Sequence, residues 1–315
     1  MKRALVTGLT GFVGNHLARE LLKDGYEVYG MKRWRSRTEH IDDIINDIKL
    51  IECDLTDAFA VRRALKYIEP DEIYHLAAQS YVDASYINPS QTLQSNIIGT
   101  TNLFESVRDV CPSAKVHFAS SSEVYGQVRK TEIPITEENH LRPASPYAVS
   151  KAACDLLAQY YINAYKLSIL ITRSFTHTGP GRGECFVESS FAKQIAEIEA
   201  GKRDVLHHGN LDSLRTWVDV RDIVRVFIAA NRHGLSGVYV VGGQDVRTVR
   251  DMLKYLISIA KKPIVTREDQ SRIRPYDVTL QVPDSKRITD FTGWKLEYKF
   301  EQTMSDILEY WRQRV

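Results

Sequence analysis

The sequence predicts an α/β fold: a parallel sheet flanked by helices, followed by a smaller α/β unit. Three observations carry that expectation. Short apolar runs alternate with amphipathic helical stretches through the first 174 residues, the rhythm of parallel strands joined by helical crossovers. A glycine-rich segment, Gly8-Leu9-Thr10-Gly11-Phe12-Val13-Gly14, separates the first apolar run from the first helical one. Beyond Ser174 the rhythm breaks into loops and scattered helices.

In chain order, residues 3–7 read as a buried strand and 12–23 as an amphipathic helix. Residues 27–31, 49–52, 72–76 and 116–120 repeat the strand signal, with helical stretches between them. A helix over 146–164 leads into one more strand over 167–171. Later, 178–183 is glycine-rich punctuation, 207–211 a loop, and 270–275 a polar, basic one. Helices are expected near 190–200, 219–232, 246–260 and 300–312.

Composition narrows the classes. The chain has 315 residues, 43% hydrophobic and 26% charged, as in an ordinary globular protein with a full core. Lys and Arg number 42 against 40 Asp and Glu, a net charge of +2 that argues against a nucleic-acid partner. No apolar run approaches the ~18–20 residues that cross a bilayer, so no membrane partner is expected. The run MKRALVTG enters a strand pattern at once. Cys53, Cys111, Cys154 and Cys185 lie far apart, without CxxC or ligand-spaced histidines. Neither metal nor disulfides are expected, and a cytoplasmic, thiol-reduced location is.

The spacing of Gly8, Gly11 and Gly14 is GxxGxxG. Glycines there permit a tight turn and close backbone approach, and the helix beginning at Phe12 and Val13 offers unpaired N–H groups to a pyrophosphate. A dinucleotide site lined by Gly8, Thr10, Gly11, Phe12 and Val13 follows, with a Rossmann-type unit over 1–174 and a second unit over 175–315 that exchange some chain. About 20 residues on, where an acid would hold a free ribose, the segment Lys32-Arg33-Trp34-Arg35-Ser36-Arg37 has four cations and no carboxylate. Arg33 and Arg35 suit a 2′-phosphate, which favours NADP over NAD. Asp54 could accept a bond from the adenine amino group or cap a helix starting at Thr56.

Tyr147 and Lys151 stand four apart at a helix start, on one face. An ammonium beside a phenol stabilises the phenolate, so the lysine is expected to lower the tyrosine's proton affinity and make it a usable base. The run Ser120-Ser121-Ser122-Glu123 at a strand end adds hydroxyls and a carboxylate.

With TGxxGxxG, YxxxK and a hydroxyl residue between them, the chain resembles the extended short-chain dehydrogenase/reductases. Within that family it is similar to the GDP-mannose 4,6-dehydratase branch. The segments that carry this are His75-Leu76-Ala77-Ala78-Gln79-Ser80, Ser121-Ser122-Glu123, Ser145-Pro146-Tyr147-Ala148-Val149-Ser150-Lys151, His177-Thr178-Gly179-Pro180, Arg182-Gly183-Glu184-Cys185-Phe186-Val187, Gly209-Asn210-Leu211-Asp212 and Arg274-Pro275.

The resemblance implies a redox-neutral cycle on GDP-mannose or a related GDP-sugar such as a GDP-manno-heptose. Tyr147, with Lys151 and Ser121, would take the C4 hydroxyl proton, and Glu123 the C5 proton before water leaves from C6. It also implies Leu55, Leu76, Ala77 and Ala78 beside the dinucleotide. Gln79, Ser80, Thr176, Lys193, Arg215 and Arg274 would face the nucleotide sugar, with Arg182 near its diphosphate or sugars. A homodimer or homotetramer is implied, pairing the helix after Pro89 with the one carrying Tyr147; the apolar residues of both also suit burial within one subunit. Two departures stand out: Thr176 replaces the dehydratases' Asn, and the glycine cradle is like that of the pathway's reductases. The Ser-Ser-Glu run also resembles the GDP-4-keto-6-deoxymannose reductases, which keeps reduction with NAD(P)H as the alternative. A non-catalytic NADP-sensing module is a third reading, against which the intact Tyr147–Lys151–Ser121 set argues.

Overall fold

The computed structural model describes residues 1–273 and 278–315. Strands β1 (Arg3–Thr7), β2 (Glu27–Lys32), β3 (Ile48–Glu52), β4 (Glu72–His75), β5 (Lys115–Ala119) and β6 (Ile169–Ser174) pair in parallel. Helices α1 (Phe12–Lys23), α2 (Ala58–Ile68), α3 (Val82–Ile87), α4 (Pro89–Leu93), α5 (Gly99–Val110) and α6 (Pro146–Tyr165) connect them, with a π-turn over Gln94–Ile98. Short strands β7 (His177–Thr178), β8 (Val205–His208), β9 (Leu214–Thr216) and β10 (Val218–Asp219) flank helix α7 (Val187–Glu199) along the chain. Helix α8 (Val220–Arg232) and strand β11 (Gly237–Val241) follow, then β12 (Val246–Thr248), α9 (Val249–Ser258), β13 (Val265–Glu268), α10 (Lys286–Thr292) and α11 (Phe300–Arg312).

The main sheet has seven strands in the order β11-β6-β5-β4-β1-β2-β3, all parallel. Alternation within each strand covers both faces. In β1, Ala4 and Val6 pack with Leu17 and Leu21 of α1 and with Val224 and Phe227 of α8, while Leu5 packs with Leu65 of α2, Leu103 of α5 and Phe118. Each such fully buried Val, Leu or Phe side chain contributes roughly 1.5–3 kcal/mol relative to exposure. A separate apolar cluster is built on Ile195 of α7, Leu256 of α9 and Met304 of α11. Among the described residues no helix is long and apolar enough to cross a membrane.

Several elements differ from expectation for local reasons. The strand expected over 167–171 is Ile169–Ser174, because its last turns carry buried polar residues: Thr172, Arg173 and Ser174. Arg173 is neutralised by a two-pronged bond to Asp155 of α6, at 3.0 and 2.9 Å. The helix expected from 246 begins at Val249, since Val246–Thr248 pairs with β9 and Thr248 closes a capping box with Asp251. The helix expected from Thr56 begins at Ala58 and is capped by Asp57, whose carboxylate accepts from the Phe59 and Ala60 amides. Asp54 therefore does not cap it. Sequence reading assigned no strand to Gly237–Val241, which nevertheless pairs along the whole of β6 beyond Ile169.

Candidate active site

The sheet order reverses between β1 and β4, and a cleft of about 1190 Å³ opens along the carboxyl ends of β1 to β6. Its floor begins with the glycine turn. Gly8 has φ +73°, and a Cβ there would lie 3.0 Å from the backbone of Ala77. A Cβ on Gly14 would lie 2.3 Å from the Gly8 carbonyl oxygen, so this turn closes only with glycines. Gly11 caps α1 without any side-chain bond, which leaves first-turn amides for an anion. Behind the turn, Thr7 Oγ1 accepts from the Ala77 amide at 3.2 Å and meets His75 Nδ1 at 2.7 Å. His75 bridges on to Thr100 and burial pushes its pKa down to about 3, so it is a neutral interior strut. A dinucleotide fits these residues: a Cβ-free turn, uncapped amides and small Ala77 and Ala78 on the wall.

Arg33, Ser36, Asp54, Leu55 and Leu76 line the same end. Asp54 accepts from the amide and hydroxyl of Thr56 at 2.9 and 2.8 Å, and Arg33 helps hold its carboxyl below the ordinary range, after those bonds. Arg35 stacks over Trp34, 5.4 Å from its ring, and is not among the cleft-lining residues. The expected pair of cations is thus split, with Arg33 at the cleft and Arg35 outside it.

Tyr147 and Lys151 follow from how α6 starts. Ser145 Oγ accepts from the Ala148 amide at 3.0 Å and Pro146 occupies the first turn, so Tyr147 emerges at the helix entrance with Lys151 one turn on. Asn96, in the π-turn, holds this helix in place: Nδ2 donates to Ser150 Oγ at 2.8 Å and to the Gln79 carbonyl at 3.0 Å. Both reactive side chains are buried in the protein and line the cleft. The Tyr147 phenol is hydrogen-bonded to Ser121, and burial pushes its pKa up to about 12. Ser121 and the charge of Arg182 pull the other way, while Glu123 adds to the rise. Burial pushes the Lys151 amine down to about 8, against the pull of Cys154 and Asp155. The expectation that the lysine makes the phenol acidic therefore does not hold in this structure, where desolvation of both groups dominates.

Ser121 caps a short 3₁₀ turn, accepting from the Glu123 amide at 3.2 Å. This turn lays the Glu123 carboxylate against the cleft two residues from the Ser121 hydroxyl. Gln281, only 2% exposed, donates from Nε2 to Glu123 Oε1 at 3.2 Å.

Of the residues expected to face a nucleotide sugar, Gln79, Ser80, Thr176, Lys193 and Arg215 line the cleft, and Arg274 lies outside the described residues. The Gln79 amide is engaged with the Tyr81 backbone and Thr92, which shapes the loop that presents Ser80. Lys193 pairs with Glu184 and lies over Trp311. Arg215 donates to the Leu214 carbonyl at 3.0 Å. Arg182 is clamped 3.6 Å over Phe186 and 5.1 Å from Phe12 of the glycine turn. Its Nε stands 3.6 Å from Glu188 Oε1, and both buried atoms lack a hydrogen-bond partner. Sequence reasoning missed Gln281, which belongs to no local motif and reaches the cleft through tertiary packing, and Glu188, one residue beyond the segment from Arg182 to Val187.

Comparison with known proteins sets this geometry among relatives. A family model described as GDP-mannose 4,6 dehydratase matches residues 5–307. The GDP-6-deoxy-D-mannose reductase of Pseudomonas aeruginosa is 33% identical over 317 residues, 100% of this chain and 98% of its own length. The GDP-mannose 4,6-dehydratase of Yersinia enterocolitica is 33% identical over 348 residues, 98% of this chain and 93% of its own. Among solved structures, RMD from Pseudomonas aeruginosa complexed with NADPH superposes with TM-score 0.87 at 31% identity, covering 100% of both chains. The UDP-glucose 4-epimerase of Thermus thermophilus in complex with NAD superposes with TM-score 0.88 at 28% identity, covering 99% of this chain and 100% of the other.

Proposed function

The chain belongs to the GDP-mannose 4,6-dehydratase family, as a GDP-sugar dehydratase or reductase, and within it we propose a lyase that dehydrates GDP-mannose or a related GDP-sugar through tightly held NADP. The observation that carries this reading is the Glu123 carboxylate on the cleft wall beside the Ser121–Tyr147 pair. Elimination needs a carbon acid's proton removed in addition to hydride and proton transfer, and Glu123 supports that role. The Ser-Ser-Glu run also resembles that of the reductases, so the assay below decides between the two reactions.

The residues that would hold the dinucleotide are the Gly8–Gly14 turn, Ala77 and Ala78 along it, Asp54 at the adenine and Arg33 with Ser36 at the 2′-phosphate. When bound it supplies reversible hydride exchange with a sugar carbon. Tyr147 takes the C4 hydroxyl proton, relayed by Ser121, as C4 becomes a ketone. Lys151, protonated, favours the phenolate once charge develops there. The ketone acidifies C5, and Glu123 takes that proton. Glu123 then gives it to the C6 oxygen, which leaves as water as the C5–C6 double bond forms. The proton held on Tyr147 is then available to C5, and with the hydride that the bound dinucleotide would supply to C6 the net change would be loss of one water.

Support for a cytoplasmic homodimer is indirect: four unpaired cysteines, and exposed Val149, Leu156 and Tyr160 on α6 beside Ile98. The reductase reading is favoured by the near end-to-end match with the Pseudomonas reductase, by the reductase-like glycine cradle and by Thr176 in place of the dehydratases' Asn. Incubating the purified chain with GDP-mannose and no added NADPH, and separately with the GDP-4-keto-6-deoxy sugar and NADPH, tests the two. Dehydration yields a 4-keto sugar lighter by one water, whereas untouched GDP-mannose with NADPH consumed by the keto sugar favours reduction.

A further inference from the structure

We propose that Gln281 is a positioning residue for Glu123, an amide that serves both protonation states the base passes through. The inference rests on the dehydratase reading. Gln281 is 2% exposed, lines the cleft and donates from Nε2 to Glu123 Oε1 at 3.2 Å, across 158 positions of sequence.

The segment carrying it is pinned on both sides. Thr279 donates its amide to Gln127 Oε1 at 2.8 Å, and the Gln281 amide donates to the Leu214 carbonyl at 3.3 Å. The Ile135 amide donates to the Val282 carbonyl at 2.7 Å and the Asp284 amide to the Ile135 carbonyl at 2.8 Å. A backbone held at this density fixes where the Gln281 side chain arrives. Leu214 precedes Arg215 on β9, so the wall that faces the nucleotide sugar and the base share one support.

The choice of an amide has a chemical reason. Holding one carboxylate oxygen orients the other toward the C5 hydrogen. In the dehydration cycle Glu123 is ionised before it takes that proton and neutral until it passes the proton to the departing C6 oxygen. An ammonium or guanidinium partner would favour the ionised form alone. A primary amide donates N–H to the carboxylate and, turned over, accepts O–H at its carbonyl from the acid. Gln281 therefore keeps its partner in place through both half-steps.

The test compares Gln281→Met, which keeps the shape without the donor, with Gln281→Glu and Gln281→His, using GDP-mannose and the intact chain. Gln281→Met should lower kcat for dehydration roughly 10- to 100-fold and change KM less than about threefold. Exchange of the C5 hydrogen with D₂O should fall with kcat, and the 4-keto-6-hydroxy sugar should accumulate. Gln281→Glu should lose more by opposing like charges, and Gln281→His, again donor and acceptor, should recover part of the loss. A Gln281→Met chain with unchanged kcat and C5 exchange overturns the proposal while the dehydratase reading stands. So does one whose kcat, substrate binding and Tm fall together, since that is only a structural role. A parent chain that leaves GDP-mannose intact overturns both.

Discussion

Desolvation governs the reactive pair. Lys151 is ordinarily protonated up to about 10.5, and burial brings it to about 8 in the folded chain. Below about pH 8 the folded state carries the full cost of a buried charge. Between about 8 and 10.5 the unfolded chain binds more protons, so stability rises with pH across that window. Lys151→Met removes the cost. The cofactor-free variant should melt about 2–6 °C above the parent at pH 7, with the gap closing by pH 10; a gap independent of pH in calorimetry would contradict this. Arg33 and Arg35 make a second test, because the structure separates them. Arg33→Ala should weaken NADP about tenfold with less effect on NAD, and Arg35→Ala, beside Trp34, should leave both nearly unchanged in titration calorimetry. Equal losses for the two variants would undo the assignment. At this scale Tyr147, Lys151, Ser121 and Glu123 were legible because each sits in a short motif at an element's end. Gln281 and the Phe12–Arg182 contact were not, since packing alone brings their partners together. The direction of Tyr147's shift was also hidden, because a lysine four residues on says nothing about how much water both have lost.

Helix starts carry the site, and their caps separate stability from binding. Asp57 caps α2 and Asp54 orders the turn before it. Asp57→Ala should cost about 1 kcal/mol of stability and leave cofactor affinity unchanged, while Asp54→Ala should do the reverse. Denaturant melts paired with cofactor titration read both, and a shared loss in either variant would refute the division. Element positions were legible where apolar periodicity coincided with a cap or a glycine turn, as at Phe12–Lys23 and Pro146–Tyr165. They were not where polar residues are buried, as in β6, or where a strand's place depends on a partner far away. The run of β11 is apolar enough for a strand, but nothing in it says that it joins β6.

For the whole molecule, the second half of the chain supplies both a strand and a helix to the first sheet before turning to cover the cleft. Helix α6, which carries Tyr147 and Lys151, is buried on its cleft side and bears Val149 (44% exposed), Leu156 (57%) and Tyr160 (51%) on the outside. Pairing of that face in a homodimer predicts that Leu156→Arg yields a monomer in light scattering with its fold intact; an unchanged mass would place any interface elsewhere. The chemistry itself is tested most directly with GDP-mannose deuterated at C4. A 4,6-dehydratase of this design moves the label within one sugar, so the 4-keto-6-deoxy product should carry deuterium at C6 without added NADPH. Product with only ordinary hydrogen at C6, or substrate recovered unchanged, would contradict it.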